Sequence, residues 1–411
     1  MSNTQTLWRS RKFLWFAVGN TGNNVGDALY AIVMPLFVYH LTHHLTAMSV
    51  MTALAMSPLL FGPGTGVLVD RWGANRLVAP ALGIQVIAGS LIAILGMTHR
   101  LPIGLLYVLG GILEVAGGVY RGAWMAALPR LFPGRGPEAR AALGILYVIT
   151  TLIGPFLSGL LLPRLGYIAL LWINVASYIL PIVVSITGVP YPVTLPETTR
   201  ISVVHQLLEG WAALRSLPVL FRAILIEAAQ NLVISSGLTT VLIYYLRHTF
   251  HLAPGWVSWI VMADGVGALI ASIVVPRWGP KGIRWIPVVG SGLAAGASFL
   301  LMVSVWWIVP VVLVLLPLGV TGISTAIEMA VYHQIAPDVL GRVNGISRLI
   351  RGLPAFACPL LLAALTHVLT VQGTFLVIAV MMTMLAAATL HLTRKTKITK
   401  VDPLSRQIFA E

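Results

Sequence analysis

The chain has 411 residues, of which 58% are hydrophobic and 9% are charged, and its formal net charge is +14. Soluble domains carry roughly 25% charged residues, so this composition excludes a water-soluble globular protein. The positive charges lie in short segments between apolar runs, which favours membrane topology and contact with anionic lipid over nucleic-acid binding. The single cysteine, Cys358, excludes an intrachain disulfide.

Long apolar runs recur along the chain, and each is long enough to cross a bilayer as a helix. They predict an all-α polytopic membrane protein with twelve transmembrane helices in two pseudo-symmetric six-helix bundles. The predicted spans are 13–40, 46–69, 77–98, 101–127, 139–162, 166–189, 218–246, 255–275, 285–304, 306–330, 342–366 and 370–392. The predicted domains are a bundle over 1–189, a cytoplasmic linker with an amphipathic helix over 190–217, a second bundle over 218–392 and a basic cytoplasmic tail over 393–411.

The distribution of lysine and arginine orients these spans. With alternating spans, 22 of the 26 Lys and Arg residues fall on one side and 3 on the other, while Arg121 lies within a helix. The positive-inside rule assigns the basic side to the cytoplasm, so both termini are expected there. We therefore expect a multi-pass protein of the cell membrane, the bacterial inner membrane.

An internal repeat appears at an offset of about 206 residues. Arg71-Trp72-Gly73 recurs as Arg277-Trp278-Gly279 at the same loop position, and Tyr39 recurs as Tyr245. Duplicated six-helix halves are typical of transporters, whose substrate site lies near the midplane between the repeats. The repeat therefore predicts a site at the seam of the two bundles.

The loop after the second span carries a recognisable motif. Its sequence, Gly66-Val-Leu-Val-Asp70-Arg71-Trp-Gly73-Ala-Asn-Arg76, resembles the G-x-L-x-D-R-x-G-x-x-R signature of the major facilitator superfamily. Two glycines permit a tight turn and close helix approach. We expect a cytoplasmic gate formed by Gly66, Asp70, Arg71, Gly73 and Arg76, with Arg342 near the start of the eleventh span as its partner. A simple turn rich in topology-setting charge is the alternative.

A second motif lies in the fifth span. Gly154-Pro155-Phe-Leu-Ser158-Gly159 resembles the G-P-x-x-G-G motif of antiporters in the superfamily, with Ser158 in place of a glycine. Two further segments resemble twelve-span exporters of the macrolide-efflux type. They are the first span, with Gly26-Asp27 and Pro35–Tyr39, and the loop 337–342.

The resemblance implies a secondary transporter that works by alternating access. It favours proton-coupled export of lipophilic or cationic small molecules, as in multidrug efflux and antibiotic resistance. A lipid or lysolipid translocator of the same fold is the alternative, and an intramembrane enzyme or a sensor is a third reading. No catalytic or metal-ligating constellation appears in the sequence, so we expect no enzyme, metal or cofactor. The expected partners are a lipophilic substrate, protons and membrane lipids, with a monomeric chain.

Acidic residues inside a span cost roughly 2.5–3.5 kcal/mol on insertion scales, so each needs a reason. Asp27 is the first candidate for proton coupling or cation contact, and Asn20 and Asn24 share its helix face. Glu114 and Arg121 share another face two turns apart. Each could instead be a structural partner inside the bundle. The remaining candidates for the cavity are Glu227, Asn231, Asp264, Glu328, Tyr30 and Met34.

Overall fold

A computed structural model describes residues 7–98, 100–187, 203–278, 285–335 and 337–395. Helices account for the secondary structure of these residues, as expected for backbone that must satisfy its own hydrogen bonds in lipid. The α-helices are α1 Arg11–Thr42, α2 Leu45–Trp72, α3 Ala74–Met97, α4 Ile103–Leu131, α5 Gly136–Thr187, α6 Val203–Arg215, α7 Pro218–Ile234, α8 Ser236–His248, α9 Pro254–Val274, α10 Ile286–Leu300, α11 Val309–Gln334 and α12 Pro337–Lys395.

The described helices account for twelve membrane crossings. Eight helical segments are long and apolar enough to span a membrane, and Leu45–Phe61 and Ile286–Leu300 are shorter apolar helices. Two of the eight are double: α5 breaks at Gly166 and α12 breaks at Thr370, where the backbone leaves the helical region. The prediction of twelve spans in an all-α polytopic fold is therefore confirmed.

The outer surface of the bundle is apolar. Large hydrophobic side chains such as Ile186 and Val368 are each 77% exposed, which a protein in water could not tolerate over so many positions. Wrapping the helices in lipid removes this cost, since hydrocarbon is as apolar as the side chains themselves. The exposed surface and the buried seam thus follow from the same apolar composition.

Unusual backbone angles recur at equivalent places in the two halves. Gly166 and Thr370, which end the first spans of α5 and α12, have nearly the same angles, with φ of 76° and 69° and ψ of 174° and 172°. His43 after α1 and His251 after α8 both have positive φ. The two bundles therefore repeat their turns as well as their helices.

The halves meet along two symmetry-related helix pairs. The first span of α5 packs on α9, where Gly159 and Gly255 allow close approach. In the other pair, α2 packs on the first span of α12, and Gly352 lies against Leu59. Small residues at these crossings let the backbones approach without an intervening side chain.

The helix α6 packs against the second bundle. Leu214 is fully buried in a cluster with Leu220, Ile224 and residues of α11, and the Trp211 ring meets Phe221 edge-on at 5.2 Å. Part of the opposite face stays exposed, including Leu208 at 60%. This two-sided character suits a helix at a membrane surface, as the sequence predicts for the linker.

Candidate functional site

A cavity of about 580 Å³ lies at the seam of the two bundles. Its walls come from α1, α2, α3, α4 and α5 of the first half and from α7, α8, α9 and α11 of the second half. The volume is in the range that binds drug-sized molecules. Among the predicted site residues, the lining includes Asn24, Asp27, Tyr30, Met34, Glu114, Arg121, Pro155 and Asp264.

Asp27 is held by polar side chains of the first bundle. The amide of Asn23 donates to Asp27 Oδ2 at 3.1 Å. Tyr178 and Asn174 also contact the Asp27 carboxylate, and the Tyr178 hydroxyl donates to Asn174 Oδ1 at 2.9 Å. The residue that hydrogen-bonds Asp27 on its own helix is thus Asn23, one turn away, rather than a member of the expected Asn20–Asn24 stripe.

Glu114 and Arg121 face the same cavity from α4. Arg121 interacts electrostatically with both Asp27 and Glu114, and the two carboxylates repel each other. No described carboxylate lies within 4.0 Å of the guanidinium, so Arg121 neutralises both acids from a distance without a direct ion pair. Glu114 itself makes no hydrogen bond with the described residues. A carboxylate so weakly held can gain or lose a proton without breaking a hydrogen bond.

Asp264 brings a carboxylate from the second bundle to the same cavity. It lies on α9, which is pressed against α5 where Gly265 meets Thr151 and Leu152. Asp264 has neither a hydrogen bond nor an ion pair with the described part of the chain. Among the described lining residues, the cavity therefore has acidic groups on both sides of the seam and one cationic group, Arg121, on the first-bundle side.

Four other candidates lie away from the cavity. Asn20 is buried within α1, and Glu328 on α11 is exposed. Glu227 is 3% exposed and accepts hydrogen bonds from Ser324 Oγ and from Arg351 Nη1, the latter at 3.2 Å. Asn231 donates to the Arg351 carbonyl at 3.3 Å. These contacts lie inside the second bundle, so they join its helices and do not face the seam cavity.

The position of Arg351 differs from its assignment by charge counting. The sequence treats it as one of the loop charges on the basic side, yet it is 15% exposed and paired with Glu227 inside the bundle. Counting charges along the sequence does not distinguish a cation that stays at the membrane surface near the start of a helix from one whose side chain turns inward to pair with a buried acid. Glu227, an acid within the apolar helix α7, is the sequence signal that could have pointed to Arg351 as its buried partner.

The predicted gate is described only in part, because the surroundings of Gly66 and the side chain of Asp70 lie outside what the structure describes. Gly73 has φ of 80° between α2 and α3, and Arg71 and Arg76 are exposed. Arg342, the expected partner, forms an ion pair with Glu209 of α6 at 2.5 Å. The linker helix thus binds the arginine that the sequence assigns to the gate.

The antiporter-type motif lies at two helix crossings. A side chain at Gly154 would collide with the backbone of Ala28, so this glycine lets α5 lie directly on α1. Pro155 lines the cavity. Gly159 gives space to the Trp259 indole, and Ser158, which replaces the motif glycine, lies 3.1 Å from Ser258 across the seam.

In the part of the chain that the structure describes, the hydroxyl pairs and the aromatic ring contact between the halves lie on one side of the cavity. Besides the serine pair, Thr52 and Thr240 hydroxyls are 2.8 Å apart, and the Tyr39 and Tyr244 rings meet edge-on at 5.9 Å. All of these positions lie nearer to the loops opposite the chain termini. Toward the terminal side, the lining residues Arg121 and Tyr147 are exposed. The cavity is therefore closed opposite the termini and opens toward them.

The lining also contains polar residues that sequence reasoning missed. Gln85 of α3 and the threonines of α5 and α8 carry hydroxyl or amide groups into an apolar wall: Thr150, Thr151, Thr239 and Thr240. A glutamine in a long apolar helix is a signal that sequence reasoning could use. Isolated threonines give none, because their hydroxyls can bond to their own helix, as those of Thr150 and Thr151 do.

Outside the membrane, one exposed ion pair orders the start of α5. The Arg135 guanidinium donates to both carboxylate oxygens of Glu138 at 2.9 Å. These hydrogen bonds lower the pKa of Glu138 below its ordinary value.

Known proteins are similar to this chain in sequence or in fold. The macrolide efflux protein A of Streptococcus pyogenes is 24% identical over 364 residues, which cover 86% of this chain and 89% of that protein. A crystal structure of the nucleoside transporter NupG superposes with a TM-score of 0.74 at 14% identity, covering 94% of this chain and 100% of that one. A bacterial homolog of the human lysosomal transporter Spinster, in an inward-facing and unoccupied conformation, gives a TM-score of 0.74 at 10% identity over 96% and 98% of the two chains.

At such identities the solved structures show the fold alone, but a family model extends over most of the sequence. The model of the Major Facilitator Superfamily matches residues 16–242 and 229–407. The match includes both bundles, the loop motif after the second span and every helix that lines the cavity. The chain is a membrane transporter that belongs to the Major Facilitator Superfamily.

Proposed function

We propose that this transporter exports lipophilic or cationic small molecules by alternating access, coupled to the entry of protons. The observation that carries the proposal is the drug-sized cavity at the seam of the bundles, with carboxylates on both of its sides. Likeness to macrolide efflux proteins over most of the chain supports an export function. The apolar part of the lining suits a lipophilic body, while the acids suit a positive charge or a proton.

Alternating access requires the halves to separate where they now touch. The hydroxyl pairs Thr52–Thr240 and Ser158–Ser258 are suited to this, because each hydroxyl can exchange its partner for water when the seam opens. The cavity would then close on the terminal side. With both termini in the cytoplasm of a bacterial cell, the described conformation is open to the cytoplasm.

The group formed by Asp27, Glu114 and Arg121 is the proposed site of proton coupling. Two acids repel each other beside a single cation, so the loss of one negative charge by protonation relieves that repulsion. An entering cation favours the charged acids and so promotes proton release. Proton and substrate thereby oppose each other, as an exchanger requires.

Efflux from cells tests the transport reaction. Cells that produce the protein are loaded with a radiolabelled macrolide or ethidium, and efflux is followed with and without a protonophore. We expect efflux that the protonophore abolishes. Asp27→Asn and Glu114→Gln should each slow it at least tenfold, while Glu138→Gln at the exposed start of α5 should leave it unchanged.

Purified protein separates coupling from transport. In weakly buffered detergent solution, addition of substrate should release protons from the protein, and the release should fall in Asp27→Asn and Glu114→Gln. Full efflux with the protonophore present would reject proton coupling. Movement of fluorescent lysolipid in proteoliposomes, with no efflux of any drug, would replace the proposal with the lipid translocator.

A further inference from the structure

Asp264 differs from the other acids of the cavity in its surroundings. Within the described residues, neither a hydrogen bond nor an ion pair involves its carboxylate, and no cationic side chain neutralises it. Asp27 has Asn23, Asn174 and Tyr178 around it, and Arg121 acts on both Asp27 and Glu114. A carboxylate with no partner in a largely apolar site is costly, so its presence calls for a ligand that supplies the missing charge.

The backbone around Asp264 fixes its place at the seam. Gly265 lies against the Thr151 carbonyl and Leu152 of α5, and Gly267 lies against the backbone of Val314 in α11. With no room for a side chain at Gly267 and little room at Gly265, α9 is held between α5 and α11. The Asp264 carboxylate is therefore presented to the cavity by a rigid element, which favours a defined binding geometry.

The wall around the cavity is aliphatic and thioether-rich. Aromatic rings contribute only Tyr30 and Tyr147 among the described lining residues. Flat aromatic cations are usually bound by stacking on several rings, whereas a wall of branched and flexible side chains fits a bulky, saturated body. Representative wall residues are Met34, Met51, Met56, Leu113, Leu313 and Leu316.

We propose that the cavity binds bulky, mainly saturated amphiphiles that carry one protonated amine, and that Asp264 is the carboxylate that pairs with this amine. The inference rests on the proposed export function and assigns its substrate class. The acids of the first bundle then handle the proton, and the acid of the second bundle recognises the substrate. The substrate would then link the two halves across the seam, because its amine pairs with Asp264 of the second bundle while its body contacts the first bundle.

Binding to purified protein in nanodiscs tests this assignment. The probe is a radiolabelled macrolide with a tertiary amine, compared with the same macrolide converted to a neutral amide at that nitrogen. We expect the amine form to bind at least tenfold more tightly than the amide at pH 7. Asp264→Asn should reduce the amine form to the affinity of the amide without weakening the amide itself.

Three controls keep the result specific. Asp264→Glu retains the charge and should keep most of the preference for the amine, and Glu138→Gln, at the exposed start of α5, should keep all of it. Ethidium, a flat aromatic cation, tests the requirement for a bulky, saturated body, and we expect it to bind more weakly than the macrolide amine. Thermal unfolding of each variant checks that a lost preference does not reflect a lost fold.

The failures of the two proposals are distinguishable. Equal binding of amine and amide to the unmodified protein, or a preference that persists in Asp264→Asn and disappears in Asp27→Asn, would overturn the role of Asp264 while leaving export intact. Tighter binding of ethidium than of the macrolide amine would overturn the substrate class. If neither macrolide form binds and no lipophilic compound leaves cells, the proposed function fails as well.

Discussion

Arg351 Nη1 lies 3.2 Å and 3.3 Å from the two carboxylate oxygens of Glu227, and this ion pair joins α7 to the first span of α12 inside the second bundle. Ser324 of α11 donates to the same carboxylate, so three helices meet at one acid. The pair lies away from the seam cavity. Its contribution is therefore expected in stability rather than in substrate recognition.

Glu227→Leu and Arg351→Leu should each destabilise the protein by about 3–5 kcal/mol, because each leaves one buried charge without its partner. The double variant Glu227→Leu with Arg351→Leu should lose less than either single variant. The measurement is the thermal unfolding midpoint in detergent. Glu138→Gln breaks an exposed ion pair and should change the midpoint little. Additive losses in the double variant would show that the two residues do not act as a pair.

A disulfide across the serine pair should lock the transporter. Ser158 and Ser258 hydroxyls are 3.1 Å apart across the seam, so cysteines at both positions are close enough to be oxidised together. Cys358 is buried and is first replaced by alanine. Oxidation should abolish efflux, and a reductant should restore it. Full efflux by the crosslinked protein, with the disulfide verified by mass spectrometry, would contradict opening of the halves on this side.

Two identical glycine substitutions in α5 should differ in effect. Gly154→Ala puts a methyl group into the backbone of Ala28 on α1, so we expect a loss of about 1–3 kcal/mol in stability from overpacking. Gly144→Ala meets open space in the same helix and should be neutral or slightly stabilising. Unfolding in denaturant measures both. Equal midpoints for the two variants would mean that the α1–α5 crossing tolerates a wider spacing.

Thr370 adopts backbone angles that only glycine adopts without strain, while its counterpart Gly166 has the preferred residue. Thr370→Gly should therefore stabilise the protein by about 1 kcal/mol, and Gly166→Thr should cost about 1–3 kcal/mol. The free energy of unfolding is the readout. Thr370→Ser keeps both the strain and a hydroxyl that can accept from the Gly373 amide, so it should change little. A loss of stability in Thr370→Gly would assign more weight to that hydroxyl than to the backbone.

Much of the fold follows from composition and from charge placement. Runs of apolar residues predict the spans, and the loop charges predict their orientation, because a bilayer imposes both a length and a sidedness. The helix breaks at Gly166 and Thr370 illustrate the limit. The predicted spans place a boundary next to both positions, but only the glycine signals the unusual backbone, because nothing in the local sequence predicts a positive φ at Thr370.

The charged residues of the apolar segments also show what the sequence predicts and where prediction ends. Asp27, Glu114, Arg121 and Asp264 are all visible as charges in apolar segments, and the structure brings them to one cavity. Glu227 gives the same sequence signal but pairs with Arg351 elsewhere. An intramembrane acid shows that a partner or a path exists, but the choice between them depends on how the helices rotate, which one sequence does not encode locally.

The attachment of α6 to the second bundle has a consequence for the chain as a whole. Through Glu209 with Arg342 and Trp211 with Phe221, the linker helix is bound mainly to the second bundle. If the protein is produced as two co-expressed fragments that divide between Thr187 and Val203, α6 remains on the C-terminal fragment with the second bundle. We expect these fragments to reassemble better than a pair that divides after Arg215, which separates α6 from that bundle.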